Sequence, residues 1–270
     1  MEMTVPLNVS QKLARAKSLL RRDATIRALE ALMEGLSLYE PKHLMSKVRF
    51  ELEVLIQECV SELNRQPAVR NLFSEIARSS KVFVPYVPGQ EDKLMGMLQL
   101  VHKALNKNIE EKKKAADEAR LTRRKTLEER GIGYLKKGDL PRGKSSLKVL
   151  AEEFGKETGV LAQVGGWFME YHLYFEAAET LEQAIELFPR ESGPYSMAAE
   201  CYKELHELEK MEAVYLRAIK EFGRHPKTLL NLAKVYIERN KKEEAFHLAQ
   251  EAWKKDNSLT EAKEIVDKYA

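Results

Sequence analysis

From Gly131 onward, one interval governs the sequence. Equal steps from Gly131 reach Gly165, Ala199 and Ala233, all small; the same steps from Tyr134 reach Phe168, Tyr202 and Tyr236, all aromatic. From Leu150 the series is Ala184, Ala218 and Ala252, and from Gly143 it is Ala177, Met211 and Ala245, with Met211 the exception. No insertion interrupts the count. Two antiparallel helices approach closely only where one of them presents a side chain no larger than a methyl group, and a ring one turn later fills the space beside that contact. A hairpin built this way leaves an apolar face uncovered, so successive hairpins must stack on one another. The interval therefore selects a row of helical hairpins, with each unit contacting only its neighbours.

This small, aromatic, small spacing resembles the tetratricopeptide repeat, a helix–turn–helix unit of about 34 residues. The small first-helix positions fall at Gly131, Gly165, Ala199 and Ala233, and the second-helix positions at Ala177, Ala245, Ala184, Ala218 and Ala252. Gly138-Asp139 supplies a turn pair and Pro189 a closing proline. The resemblance implies an all-α chain, a helical-hairpin solenoid preceded by a less regular N-terminal helical region. Four repeats are expected over 124–259 (124–157, 158–191, 192–225 and 226–259), and 260–270 reads as a capping helix.

The region 1–89 is helical but less regular. Between two amphipathic stretches lies a break at Arg22-Asp23-Ala24; Ala16, Leu19 and Ala28 partly match the repeat columns, giving a diverged hairpin at 9–41. From Pro41, the residues Leu44, Val48, Leu52, Leu55, Cys59 and Leu63 mark one face of a long helix that Pro67 ends. A shorter helix follows with Val69, Leu72, Phe73 and Ile76 on its face. The stretch "KVFVPYVPGQED" should be extended, packing over a helix or serving as a docking strand. Leu94, Met97, Leu98, Val101 and Leu105 then open a helix that continues into a charged run, a solvated connector over 90–123.

Several function classes lack their signatures. Six histidines are scattered with no HExxH spacing; no GxSxG elbow or GxxxxGK[ST] loop occurs, and the paired glycines Gly165-Gly166 lack the strand and further glycines of a phosphate loop. Catalytic residues, metal ligands and cofactors are accordingly expected to be none, and the chain is read as no enzyme. Cys59 and Cys201 stand alone, which suits a reducing compartment. No apolar run approaches the roughly 18 residues of a membrane span, and the opening "MEMTVPLNVSQKLARAKSLL" lacks a signal peptide's apolar core. A cytoplasmic protein is expected. With 45 basic against 42 acidic residues, the net charge of +3 speaks against a dedicated nucleic-acid binder.

By resemblance, fixed first-helix positions form a concave groove for a peptide or helix of a partner. The groove residues expected here are Lys136, Ala162, Gly166, Met169, Glu170, Ser196, Glu200, Lys203, Glu204, Lys227, Leu230, Asn231 and Lys234. Small residues at Gly159, Ala162, Gly166, Gly193 and Ser196 give it a roomy floor, and Trp167 reads as core. The Lys/Asn/Arg clamp by which some members hold a chaperone's terminal carboxylate is not matched: Glu128, Ile132 and Gln163 stand there, and Asn231 alone is reminiscent. The leading reading is a non-enzymatic interaction scaffold with a protein or peptide partner. Two alternatives are a nucleic-acid-associated protein using the basic run 112–125, and an assembly factor that self-associates through its N-terminal helices.

Overall fold

The computed structural model describes residues 7–73 and 83–269, and every regular element among them is helical. The chain divides into two compact units, Met1–Glu118 and Ala119–Ala270.

In the first unit, α1 (Leu7–Leu20) and α2 (Thr25–Ser37) form an antiparallel hairpin. Its turn places Asp23 in the left-handed region, φ 56°. The Asp23 N–H donates to Leu20 C=O at 3.1 Å and the Ala24 N–H to Leu19 C=O at 3.0 Å, the paired bonds of a Schellman C-terminus. The helices touch at Gly35, where a Cβ would lie 2.9 Å from Leu13 Cδ2.

The long helix expected from Pro41 begins later. Pro41–His43 is a single 3-10 turn, Leu44 and Met45 are extended, and α3 runs Ser46–Arg65. Leu52, Ile56, Cys59, Val60 and Leu63 of α3 are buried, while Leu44, Val48 and Leu55 pack at the margin. Gln66, forced extended by the proline after it, separates α3 from α4 (Pro67–Leu72). Its buried amide donates to Leu20 C=O and accepts from Thr25 Oγ1, tying this junction to the first hairpin's turn. Val69 is fully buried; Ile76, expected on the same face, lies outside the described residues.

Of the stretch expected to be extended, Lys81 and Val82 lie outside the described residues, and from Phe83 it packs down without pairing as a strand. Buried Asn64 clamps it: Oδ1 accepts from Phe83 N–H (2.8 Å) and Val84 N–H (2.9 Å), and Nδ2 donates to the carbonyls of Val84 and Val60. Val84 and Tyr86 are buried beneath it, and Phe83 stacks on Phe73 at 5.3 Å. From there α5 (Glu91–Lys136) runs without interruption. Leu94, Leu98, Val101 and Leu105 close the first core, and residues 111–120 are exposed throughout.

The second unit takes its first hairpin from the end of α5 and α6 (Leu140–Phe154). Three more follow: α7 (Val160–Glu170) with α8 (Tyr174–Leu187), α9 (Ser192–Glu204) with α10 (Leu208–Phe222), and α11 (Pro226–Glu238) with α12 (Lys242–Lys255). α13 (Thr260–Tyr269) packs on α12 through Ala262 and Ile265. Where α5 enters this unit, Arg123 pairs with Glu153 on α6, and Arg120 and Arg124 pair with Glu157 just beyond it.

The turns repeat with the sequence. Gly138, His172, His206 and Asn240 recur at the interval of the small and aromatic columns, and all have φ between 56° and 77°. Each is followed by a residue whose N–H donates to the backbone carbonyl of the column's aromatic residue: Asp139 to Tyr134, Leu173 to Phe168, Glu207 to Tyr202 and Lys241 to Tyr236, at 2.8–3.0 Å. The same residue's carbonyl receives the first N–H of the second helix, from Gly143, Ala177, Met211 and Ala245. Asp23 sits in an identical frame, with Ala16, Leu19 and Ala28 at the offsets of Gly131, Tyr134 and Gly143.

The small columns are helix contacts. A Cβ on Gly131 would lie 2.6 Å from Leu147 Cδ2, and one on Gly165 would lie 2.6 Å from Leu181 Cγ, the same pair one repeat later. The second unit is a tetratricopeptide-like helical solenoid.

Candidate functional site

Gly166, next to the contact glycine, is not required by packing: its Cβ would meet only the tip of Met197, at 3.3 Å. Trp167 is half-buried against the core of the second unit, and Cys201, one repeat on, is fully buried. Burial raises both thiols, Cys59 to about 11 and Cys201 to about 12, so neither is a nucleophile near neutral pH. Among the described residues no group of His, Cys, Asp or Glu is placed to hold a metal ion.

The expected groove residues divide by environment. Glu170, Glu200, Lys203, Glu204 and Lys136 are exposed, while Ala162 and Met169 are half-buried on α7. Lys234 is exposed but paired with Glu261. Leu230 is buried in the core shared by α11, α12 and α13 and presents nothing to solvent. Of the small floor, Gly159 answers a backbone demand, since it caps α7 with φ 83°. Gly193 has nothing within 4 Å of its missing Cβ and leaves open space.

Ser196, Lys227 and Asn231 come together, with Gly193, at a cleft of about 440 Å³ bounded by α9, α10 and the first turns of α11. Its walls are rings, Tyr195 edge-on to Phe222 at 5.4 Å, with Tyr215 and Ala218 deeper on α10. The Tyr215 hydroxyl is raised by burial, partly offset by its hydrogen bond to Asn231, while the carboxylate of Glu200 acts in the same sense as burial. At the α11 end lie His225 and Lys227. Asp256 is held low first by the Ser258 hydroxyl and backbone, and more weakly by Lys227 and His225 nearby.

The ring walls were not singled out from the sequence, although the interval marks them. The column of Leu147 and Leu181 changes to Tyr215, and the column Phe154, Phe188, Phe222 ends at Asp256. Phe154 is 3% exposed where the next hairpin covers it; Phe222 is 42% exposed at the cleft mouth.

The basic run is less available than its composition suggests. Arg120, Arg123 and Arg124 are committed to Glu153 and Glu157, and Lys114 lies 4.0 Å from Glu118. No helix among the described residues is long and apolar enough to cross a membrane.

No family model matches the chain, and no curated protein matches it. Among solved structures it is similar to a crystal structure of MamA protein, at 16% identity and TM-score 0.43, covering 53% of this chain and 79% of that one. It is also similar to the P58(IPK) TPR domain, at 14% identity and TM-score 0.35, covering 97% of this chain and 78% of that one. A tetratricopeptide repeat protein from Parabacteroides merdae ATCC 43184 aligns at 11% identity and TM-score 0.27, covering 96% and 98%. Likenesses this loose add nothing to the fold; the chain's class rests on its own columns and turns.

Proposed function

We propose that the second unit is a non-enzymatic scaffold that binds a segment of a protein partner along the first-helix face of α7, α9 and α11. The observation that carries this reading is unfilled space on that face. Gly166 and Gly193 are glycines that no neighbour requires, and the cleft between α9, α10 and α11 is walled by rings and rimmed by the hydrogen-bonding groups of Ser196, Thr228 and Asn231. Apolar depth with a few convergent polar groups is the usual make-up of a recognition site. A peptide or amphipathic helix inserting apolar side chains there, with charges over Glu170, Glu200, Lys203 and Glu204, fits the helix-in-groove mode.

The test places a photo-crosslinking amino acid at Lys203, on the groove face, and separately at Glu186, exposed on α8. Crosslinks to one protein from position 203, lost when Ala162 and Gly166 are both replaced by Leu in a folded chain, are the expected result. Equal capture from position 186, or capture indifferent to the leucines, would remove the groove from consideration.

A further inference from the structure

The charges around the cleft specify the partner's chemistry more narrowly than the groove reading on which this inference rests. Ser196, Glu200 and Glu204 follow one another at four-residue spacing along α9, so the two carboxylates continue the face that opens into the cleft. Both are exposed, and among the described residues neither forms an ion pair. Their fields reach the neighbouring rings: Tyr174 is raised by burial and then by Glu204 and Glu200, and Tyr215, in the cleft wall, by burial and Glu200.

The cations nearby are few and partly offset. Lys234 is paired with Glu261, and Lys227, at the α11 end of the cleft, has its charge partly offset by Asp256 nearby, without an ion pair among the described residues. Lys203 is the one cation on this stretch of α9, against Glu200 and Glu204. A chain of net charge +3 thus presents an acidic strip beside its ring-walled cleft. The local sign opposes the global one.

We propose that the groove takes a basic protein segment: one bulky apolar side chain seats between α9, α10 and α11, and Lys or Arg side chains lie over Glu200 and Glu204. Buried apolar anchors supply most of the affinity of such contacts, and charges at the rim supply selectivity and encounter rate.

The test pans a random-peptide display library against the full chain and measures an enriched peptide by fluorescence anisotropy. Enriched sequences should pair a Leu, Phe or Trp with flanking Lys or Arg. Adsorption driven by the net charge would enrich acidic peptides instead. Ser196→Trp, which fills the cleft from an exposed position, should weaken binding by about tenfold or more with thermal unfolding unchanged. The double change Glu200→Gln, Glu204→Gln should weaken it about three- to tenfold and flatten its salt dependence.

Acidic or uncharged peptides that are enriched and then lost in Ser196→Trp would overturn the basic partner while leaving the groove reading intact. Basic peptides indifferent to Ser196→Trp would overturn the anchored mode. Failure to enrich any peptide, or enrichment indifferent to all three substitutions, would overturn this inference and remove the support of the groove reading as well.

Discussion

Gly165→Ala should destabilise the protein, although the same change at an ordinary helical position stabilises it. Replacing a helix-interior glycine with alanine gains about 1 kcal/mol through backbone entropy. At Gly165 the new methyl would lie 2.6 Å from Leu181 Cγ, 2.7 Å from Cδ2 and 3.3 Å from Cδ1. It meets the branch point of a fully buried side chain, not a flexible tip. Overpacking of this kind costs about 1–3 kcal/mol, so the net loss should be up to about 2 kcal/mol once the entropy gain is subtracted.

Leu181→Ala alone should cost about 2–5 kcal/mol by opening a cavity. In that background Gly165→Ala meets no clash and should stabilise by about 1 kcal/mol. The double-mutant cycle therefore carries a coupling of about 1–3 kcal/mol. Gly133→Ala on α5, where nothing lies within 4 Å, is the control and should stabilise. Urea unfolding followed by far-UV circular dichroism reads all of these, compared at equal slope. If Gly165→Ala stabilises as much as Gly133→Ala, the close contact of α7 with α8 is not what selects glycine.

His206→Gly should stabilise by about 1 kcal/mol, because a left-handed L-residue is disfavoured by roughly that amount or more; His247→Gly, inside α12, should cost a similar amount, and thermal unfolding separates the two. Asn64→Leu should cost about 2–4 kcal/mol by orphaning buried groups of the clamped loop, with faster hydrogen exchange at the Phe83 and Val84 amides. The Glu251 carboxyl is held down to about 2, first by Arg224 and then by Lys255, so its contribution is present above its ordinary value of 4.5 and is lost as pH falls from there towards 2. Glu251→Gln should accordingly flatten the acid limb of the stability curve across that window, as read by urea midpoints at successive pH values. Cys59 and Cys201, both buried, should resist a disulfide-exchange reagent at mildly alkaline pH and react once urea unfolds the chain.

The repeat columns were legible because each is a steric requirement. Gly165 must be small where Leu181 stands, and the rings of Phe168 and Tyr202 one turn on are buried in the core. The turns themselves were legible only at Gly138. His172, His206 and Asn240 adopt the same left-handed conformation, but histidine carries no turn signal; the Schellman bonds impose the conformation on whatever residue stands there.

The start of α3 was misplaced because Pro41, a good first helical residue, opens a 3-10 turn instead, with Leu44 and Met45 extended before Ser46. Within the groove, first-helix positions pointed to Ser196, Lys227 and Asn231, which the cleft brings together. Leu230 followed the same positional rule and is buried, since α13 adds a core that the rule does not include. Tyr215 and Phe222 went unnoticed because second-helix rings read as packing. Both line the cleft beside α11, and in Phe222's column the next residue is Asp256 rather than another aromatic.

The most direct measurement of the central claim is the backbone φ at His172, His206 and Asn240 in solution, from HN–Hα couplings and Cα shifts of the labelled full chain. Left-handed values at all three, with helical values at Glu170, Glu204 and Glu238 before the turns, are what a chain folded into hairpins at one fixed interval requires. Right-handed helical values at any of the three would mean that a helix runs on through the turn, and the stack, with its groove, would not exist.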